Sequence, residues 1–238
     1  DVQPLDALAL RRYLDAYILD LGPALELSPF SGGQSNPTFL LTDGKSRFVL
    51  RKKPAGELLP SAHAVDREYR VIHALQGTGV PVARPVCLCE DPSVIGTAFY
   101  VMDFVDGRIF WDPALPELTG HERRALYDDI NRVVALLHAV RPEAVGLQDY
   151  GRQGHFLERQ IARWSRQYVA SETRPIEEMH QLMAWLPKHI PDSKGHGIVH
   201  GDLSEYNILV DAQGPVIIDL PQAIDAAGNN HAPRMLLR

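Results

Sequence analysis

The side chains that could do chemistry together lie in the last fifth of the chain. Asp202 stands five residues before Asn207 in Val199-His200-Gly201-Asp202-Leu203-Ser204-Glu205-Tyr206-Asn207, and a second acid, Asp219, follows Ile217-Ile218. Phosphoryl transfer needs such a set. One carboxylate orients or deprotonates the attacking hydroxyl, and an amide and a second carboxylate hold the magnesium ions that bridge the nucleotide phosphates. On this reading Asp202, Asn207 and Asp219 are catalytic, Asn207 and Asp219 are also metal ligands, and the cofactors are ATP and Mg2+. Asp and Asn also crowd ordinary turns, so the spacing needs support from its surroundings.

That support is present. Apolar Gly197-Ile198-Val199 precedes the loop, and the runs Ile208 to Val210 and Val216 to Ile218 follow it, joined by Asp211-Ala212-Gln213-Gly214. His200-Gly201-Asp202 with Asn207 fits the H-x-D-x-x-x-x-N catalytic loop of kinases, and Asp219 fits the metal-binding Asp of D-F-G. His200 reads as a buttress of the loop rather than a base. From Phe30 to about Pro191 the chain resembles the aminoglycoside-phosphotransferase-like domain found alone in bacteria and fused to acyl-CoA dehydrogenases in animals. The residues carrying this are Ser31-Gly32-Gly33-Gln34-Ser35-Asn36-Pro37-Thr38, Val49-Leu50-Arg51-Lys52-Lys53-Pro54, Leu59-Pro60-Ser61-Ala62-His63-Ala64, Tyr100-Val101-Met102 and Tyr168-Val169-Ala170-Ser171-Glu172-Thr173. From Gly197 onward, Asp202 to Asn207 and Ile218-Asp219-Leu220-Pro221-Gln222 resemble instead the RIO kinases, an atypical protein kinase family.

Several elements must position these groups. Leu25 to Phe30 and Thr38 to Thr42 read as strands around the small residues of Ser31 to Pro37. Gly32, Gly33 and Ser35 would let backbone N–H groups approach phosphates; the plain alternative is a hairpin turn, and the resemblance favours the phosphate loop. Ser46 to Lys53 reads as a third strand, with Val49, Arg51 and Lys53 on one face and Phe48, Leu50 and Lys52 on the other. One cation here belongs on the nucleotide phosphates. V-L-R-K resembles V-A-I-K with Lys52 in that role, whereas the phosphotransferase-like families often place Arg, here Arg51, at the site.

Ser61 is the expected cap of a helix carrying Val65, Tyr69, Ile72 and Leu75 on one face. Glu68 lies beside that stripe, where it could pair with the strand cation as the helix C glutamate of kinases does; the alternative is an exposed Glu near Arg67 or Arg70. Thr97 to Phe104 reads as another strand, and in the kinase-like plan the backbone after Met102 meets the adenine edge. An opening helix from Leu5 to Leu21 has its apolar stripe on Leu5, Leu8, Tyr13, Tyr17 and Leu21. Thr119-Gly120-His121-Glu122 has capping-box spacing ahead of a long helix, and stripes through Ile161, Trp164 and Tyr168 and through Met179 and Leu186 mark two more helices with core-facing sides.

The expected fold is α+β and protein kinase-like: residues 1–102 form an N-terminal helix and a small antiparallel nucleotide-binding β lobe, and residues 103–238 form a mainly helical lobe with the catalytic loop. ATP lies between them. The chain ends at Arg238, nineteen residues past Asp219, so this second lobe is expected to be C-terminally truncated. With 238 residues, 45% hydrophobic, the chain can bury a large core. A net charge of -6 argues against nucleic acid as a partner. No apolar run approaches the roughly 18 residues of a membrane span. Cys87 and Cys89, without a second ligand pair, read as buried thiols of a reducing compartment, and the expected location is cytoplasmic. The resemblance implies a phosphotransferase acting on a hydroxyl of a small molecule such as a hydroxyacyl-CoA, with an acyl-CoA dehydrogenase as fusion or operon neighbour. The alternatives are a RIO-like protein serine kinase and a catalytically inactive nucleotide-binding fragment.

Overall fold

A computed structural model describes residues 5–30, 36–54, 64–151, 154–191, 196–201, 203–204, 207–220 and 224–227. The sequence-derived site positions Gly32, Gly33, Ser35 and Asp202, and the cap position Ser61, lie outside these residues.

Five strands build one antiparallel sheet: β1 (Glu26–Pro29), β2 (Thr38–Thr42), β3 (Arg47–Lys52), β4 (Pro85–Cys89) and β5 (Phe99–Asp103), in the order β1-β2-β3-β5-β4. The β2–β3 turn is fixed by Asp43, whose carboxylate accepts from the backbone N–H groups of Lys45, Ser46 and Gly22. Three such bonds favour the charged form and hold its pKa at about 2.

One face of the sheet, with Phe39, Leu41, Phe48, Leu50, Phe99 and Val101, packs on Leu10 and Leu14. Each buried Leu or Phe contributes roughly 1.5–3 kcal/mol of transfer free energy. Cys87 and Cys89 are free thiols in this core, and burial pushes Cys87 up to about 12.

The opening helix is shorter than its periodicity suggests. α1 runs Ala7–Leu14, N-capped by the Asp6 carboxylate, which accepts from Leu8 and Ala9 N–H. Beyond it the chain folds back so that the Arg11 guanidinium reaches the Leu21 and Gly22 carbonyls, which a helix continuing to Leu21 could not allow. The buried stripe is therefore Leu10 and Leu14, while Leu8 and Tyr17 are exposed.

α2 (Val65–Ala74) is N-capped at Ala64, without a side-chain hydrogen bond, and packs on the opposite face of the sheet near β4 and β5. After β5, β6 (Arg108–Ile109) pairs with β8 (Ile208–Asp211), which pairs with β9 (Gly214–Ile217). A Cβ on Gly107 would collide with the Leu209 side chain and the Val210 carbonyl, so only glycine lets β6 lie on this hairpin. Asp211 closes the hairpin turn by accepting from Gln213 and Gly214 N–H.

The chain divides into two compact units, Asp1–Val133 with His200–Ala223, and Val134–Val199 with Ile224–Arg238. The β8–β9 hairpin thus groups with the five-stranded sheet, because Ile217 donates to the Pro81 carbonyl and bridges to Val82. α3 (Gly120–Ala139) starts at the expected capping box: Glu122 accepts from Thr119 N–H, and Thr119 Oγ1 accepts from Glu122 N–H. The second unit holds α4 (Phe156–Ser171), α5 (Glu177–Trp185), and the antiparallel pair β7 (His196–Val199) and β10 (Ile224–Ala227). The expected core-facing stripes on α4 and α5 are not buried. Trp164, Leu182 and Trp185 are about half exposed, because among the described residues no element covers them.

Candidate active site

β3 delivers Arg51 to the middle of the site. Its alternation puts Phe48, Leu50 and Lys52 on the core face and Arg51 on the face toward α2. Arg51 Nη1 meets Glu68 Oε1 at 3.0 Å and Nη2 donates to Asp219 Oδ1 at 3.1 Å. A guanidinium can bridge two carboxylates with separate N–H groups, which a lysine ammonium cannot match in planar geometry. Lys52 is buried on the other face, where desolvation lowers its pKa. The geometry therefore gathers the acids around Arg51.

Glu68 is fully buried and paired with Arg51, so it is not the exposed Glu of the alternative reading. Two neighbours that sequence reasoning did not assign surround it: Tyr100, which pairs with Arg51 in the β3–β5 register, and Asn36, which is buried two residues before β2. Burial pushes the Glu68 carboxyl up from 4.5 to about 7, against the pull of Arg51. At the level of sequence Tyr100 is marked by its place in an alternating strand and in Tyr100-Val101-Met102, neither of which points to Glu68.

A pH prediction follows from that shift. A carboxyl whose folded pKa lies above its unfolded value stabilises the fold below about 4.5, and this contribution disappears as pH rises through about 7. The unfolding free energy from urea titration is expected to fall by up to roughly 3 kcal/mol from this group between about pH 5 and about pH 8, and Glu68→Gln to flatten that limb.

Asp219 sits two residues beyond β9 with φ of 56°, a left-handed conformation that Asp tolerates better than most residues. Leu220, fully buried, anchors the next position. Asn207 opens β8 and is buried; its carbonyl accepts from Ile218 N–H at 3.1 Å, which ties it to the residue before Asp219. His200 Nε2 donates to the Ile218 carbonyl at 2.9 Å, so this buried imidazole braces the same backbone. Asn207, Asp219, Arg51 and Glu68 are thus brought together. Met102 is not among them: it lies inside β5 between Val49 of β3 and Pro85 of β4. The next two N–H groups, of Asp103 and Phe104, are committed to Arg84 and Arg47 carbonyls.

Among the described residues, no three His, Cys, Asp or Glu side chains are gathered as a metal cluster, and no helix is long and apolar enough to cross a membrane. Magnesium, however, keeps several waters and takes only one or two protein ligands beside substrate phosphates, so a part-exposed Asp219 with Asn207 fits it.

Residues 26–223 match the profile of the phosphotransferase enzyme family, APH, and the match continues across the segment from Gly197. The chain is 49% identical over 197 residues to "Probable acyl-CoA dehydrogenase IBR3" of Arabidopsis thaliana, covering 77% of this chain and 24% of that protein. It is 44% identical over 203 residues to acyl-CoA dehydrogenase family member 10 of Mus musculus, covering 84% of this chain and 19% of that one. It therefore spans less than a third of the length of these curated relatives. A solved structure from Ralstonia eutropha JMP134, assigned by name to the aminoglycoside phosphotransferases, superposes with a TM-score of 0.84 at 38% identity, over 99% of this chain and 77% of that one. The streptomycin–ATP complex of APH(2")-IIa shares the fold, with a TM-score of 0.60 at 17% identity over 94% of this chain and 73% of that one. An antiparallel sheet followed by helices is the kinase-like arrangement, and the chain belongs to the phosphotransferase enzyme family.

Proposed function

We propose that the protein moves the γ-phosphate of ATP, with Mg2+, to a hydroxyl of a small molecule of the hydroxyacyl-CoA class. The observation that carries this is Arg51 bridging Glu68 and Asp219, while Asn207 is bonded to the residue before Asp219. In this reading Arg51, fixed by Glu68, holds the nucleotide phosphates together with the backbone of Gly32, Gly33 and Ser35. Lys52, on the core face, has no part. Asp202 orients the acceptor hydroxyl, and Asn207 and Asp219 hold magnesium. A bound ion would supply charge neutralisation at the nucleotide phosphates. The adenine edge meets backbone beyond Phe104 rather than at Met102, where the ladder occupies both sides. The division into lobes at 102 and 103, and a cytoplasmic location, belong to the same proposal. The acyl-CoA dehydrogenase names of the relatives support the acceptor class and an acyl-CoA dehydrogenase as the fused or neighbouring partner.

The test uses purified protein, MgATP labelled at the γ-phosphate, and a 3-hydroxyacyl-CoA. A thermal shift with MgATP and label transferred to the thioester are expected. No shift would sink the nucleotide reading, and label appearing on protein serine would replace the acceptor.

A further inference from the structure

Glu68 faces Arg51 on one side, and on another it faces a group that the proposed chemistry leaves unused. Tyr100 is fully buried and pairs with Arg51 across β3 and β5. Its ring meets Tyr69, the residue after Glu68 on α2, edge-on with centroids 6.1 Å apart. The Tyr100 hydroxyl, both Glu68 carboxylate oxygens and Arg51 Nε are sealed from solvent, and apart from the Arg51–Glu68 ion pair none completes a well-aligned hydrogen bond. Buried polar atoms left in this condition are costly, and a Phe at this position, as at Phe99 next to it, would fill the same space without that cost.

Active-site hydrogen bonds commonly stay long until a ligand arrives. Arg51 has donors only, so of these two charged neighbours only Glu68 can accept the Tyr100 proton. Burial and the Glu68 charge both push the phenol well above its ordinary pKa, so it remains a donor. We propose that Tyr100 is a positioning residue for the phosphate-binding cation: its hydroxyl closes on Glu68 when nucleotide binds, locking the carboxylate and through it the direction of Arg51. This rests on the phosphotransferase reading and adds to it a control over nucleotide affinity that acts entirely inside the sheet–helix interface.

Tyr100→Phe removes one oxygen and keeps the ring. Calorimetric titration is expected to show Kd for MgATP raised roughly tenfold, the size of one hydrogen bond to a charged group, with Kd for adenosine within about twofold of the parent. In a Glu68→Leu background the same substitution is expected to change MgATP affinity by less than about twofold, because the oxygen that accepts from it is gone. An unchanged Kd for MgATP would overturn the proposal. So would equal weakening of MgATP and adenosine, or an undiminished effect beside Glu68→Leu, since either marks a packing role. If the parent protein itself binds no MgATP, the underlying reading fails; if it does and Tyr100→Phe matches it, only this inference fails.

Discussion

Asp219→Ala is expected to lower kcat/KM for phosphate transfer by at least about a thousandfold and to erase the thermal shift given by MgATP. Transfer of a phosphoryl group draws nearly all its acceleration from positioning and charge neutralisation, and in the proposed reading Asp219 serves both. One oxygen anchors the Arg51 guanidinium at 3.1 Å, and the carboxylate is exposed by a third, enough to receive an ion carried in by the nucleotide. The fold is expected to survive, because the neighbouring backbone is held independently by His200 and Asn207 through Ile218 and by the burial of Leu220. Removing the left-handed Asp for Ala adds a small strain cost only. Asp202→Ala is expected to give the contrasting result: transfer falls but the MgATP shift remains, because in the proposed reading that acid acts on the acceptor. Loss of the shift in both variants, or in neither, would break the assignment of Asp219 to the nucleotide side.

Arg51→Met comes second, and its effect is on stability as well as on binding. It leaves Glu68, with no exposed surface, beside no cation; breaking a buried pair in this way costs about 3–5 kcal/mol. The double substitution Arg51→Met with Glu68→Leu removes both charges and is expected to recover most of that stability, measured by urea unfolding at pH values above about 7. Nucleotide affinity is expected to stay at least about a hundredfold down in both, since the phosphate cation is absent from each. Arg51→Lys is expected to lie between, because one ammonium cannot reach Glu68 and Asp219 with separate planar donors. Recovery of MgATP binding in the double variant would show that Arg51 serves the core and not the phosphates.

The limits of the sequence are clearest at these residues. Strand alternation already confined the cation to one face and offered Arg51 or Lys52. Which face looks toward Glu68 depends on α1 covering the other, a packing choice made by Leu10 and Leu14 against Phe48 and Leu50. The helical interval that carried Leu8 and Tyr17 was misleading for the same reason. Periodicity records where apolar side chains recur, and the fold-back of Leu21 and Gly22 onto Arg11 decided which of them were buried.

What the sequence determined by itself was local. Four strands of the sheet, the capping box at Thr119 and Glu122, and the β8–β9 hairpin with its Asx turn follow from side-chain periodicity and from hydrogen bonds spanning two to four residues. The same range of interaction makes Asn207 and Asp219 recognisable. Only the tertiary structure decided that Glu68 is buried, that Tyr100 and Asn36 border it, and that Arg51 joins it to Asp219. Those facts join residues up to 168 positions apart. No local propensity encodes such pairings, because they arise from how whole elements exclude water from one another.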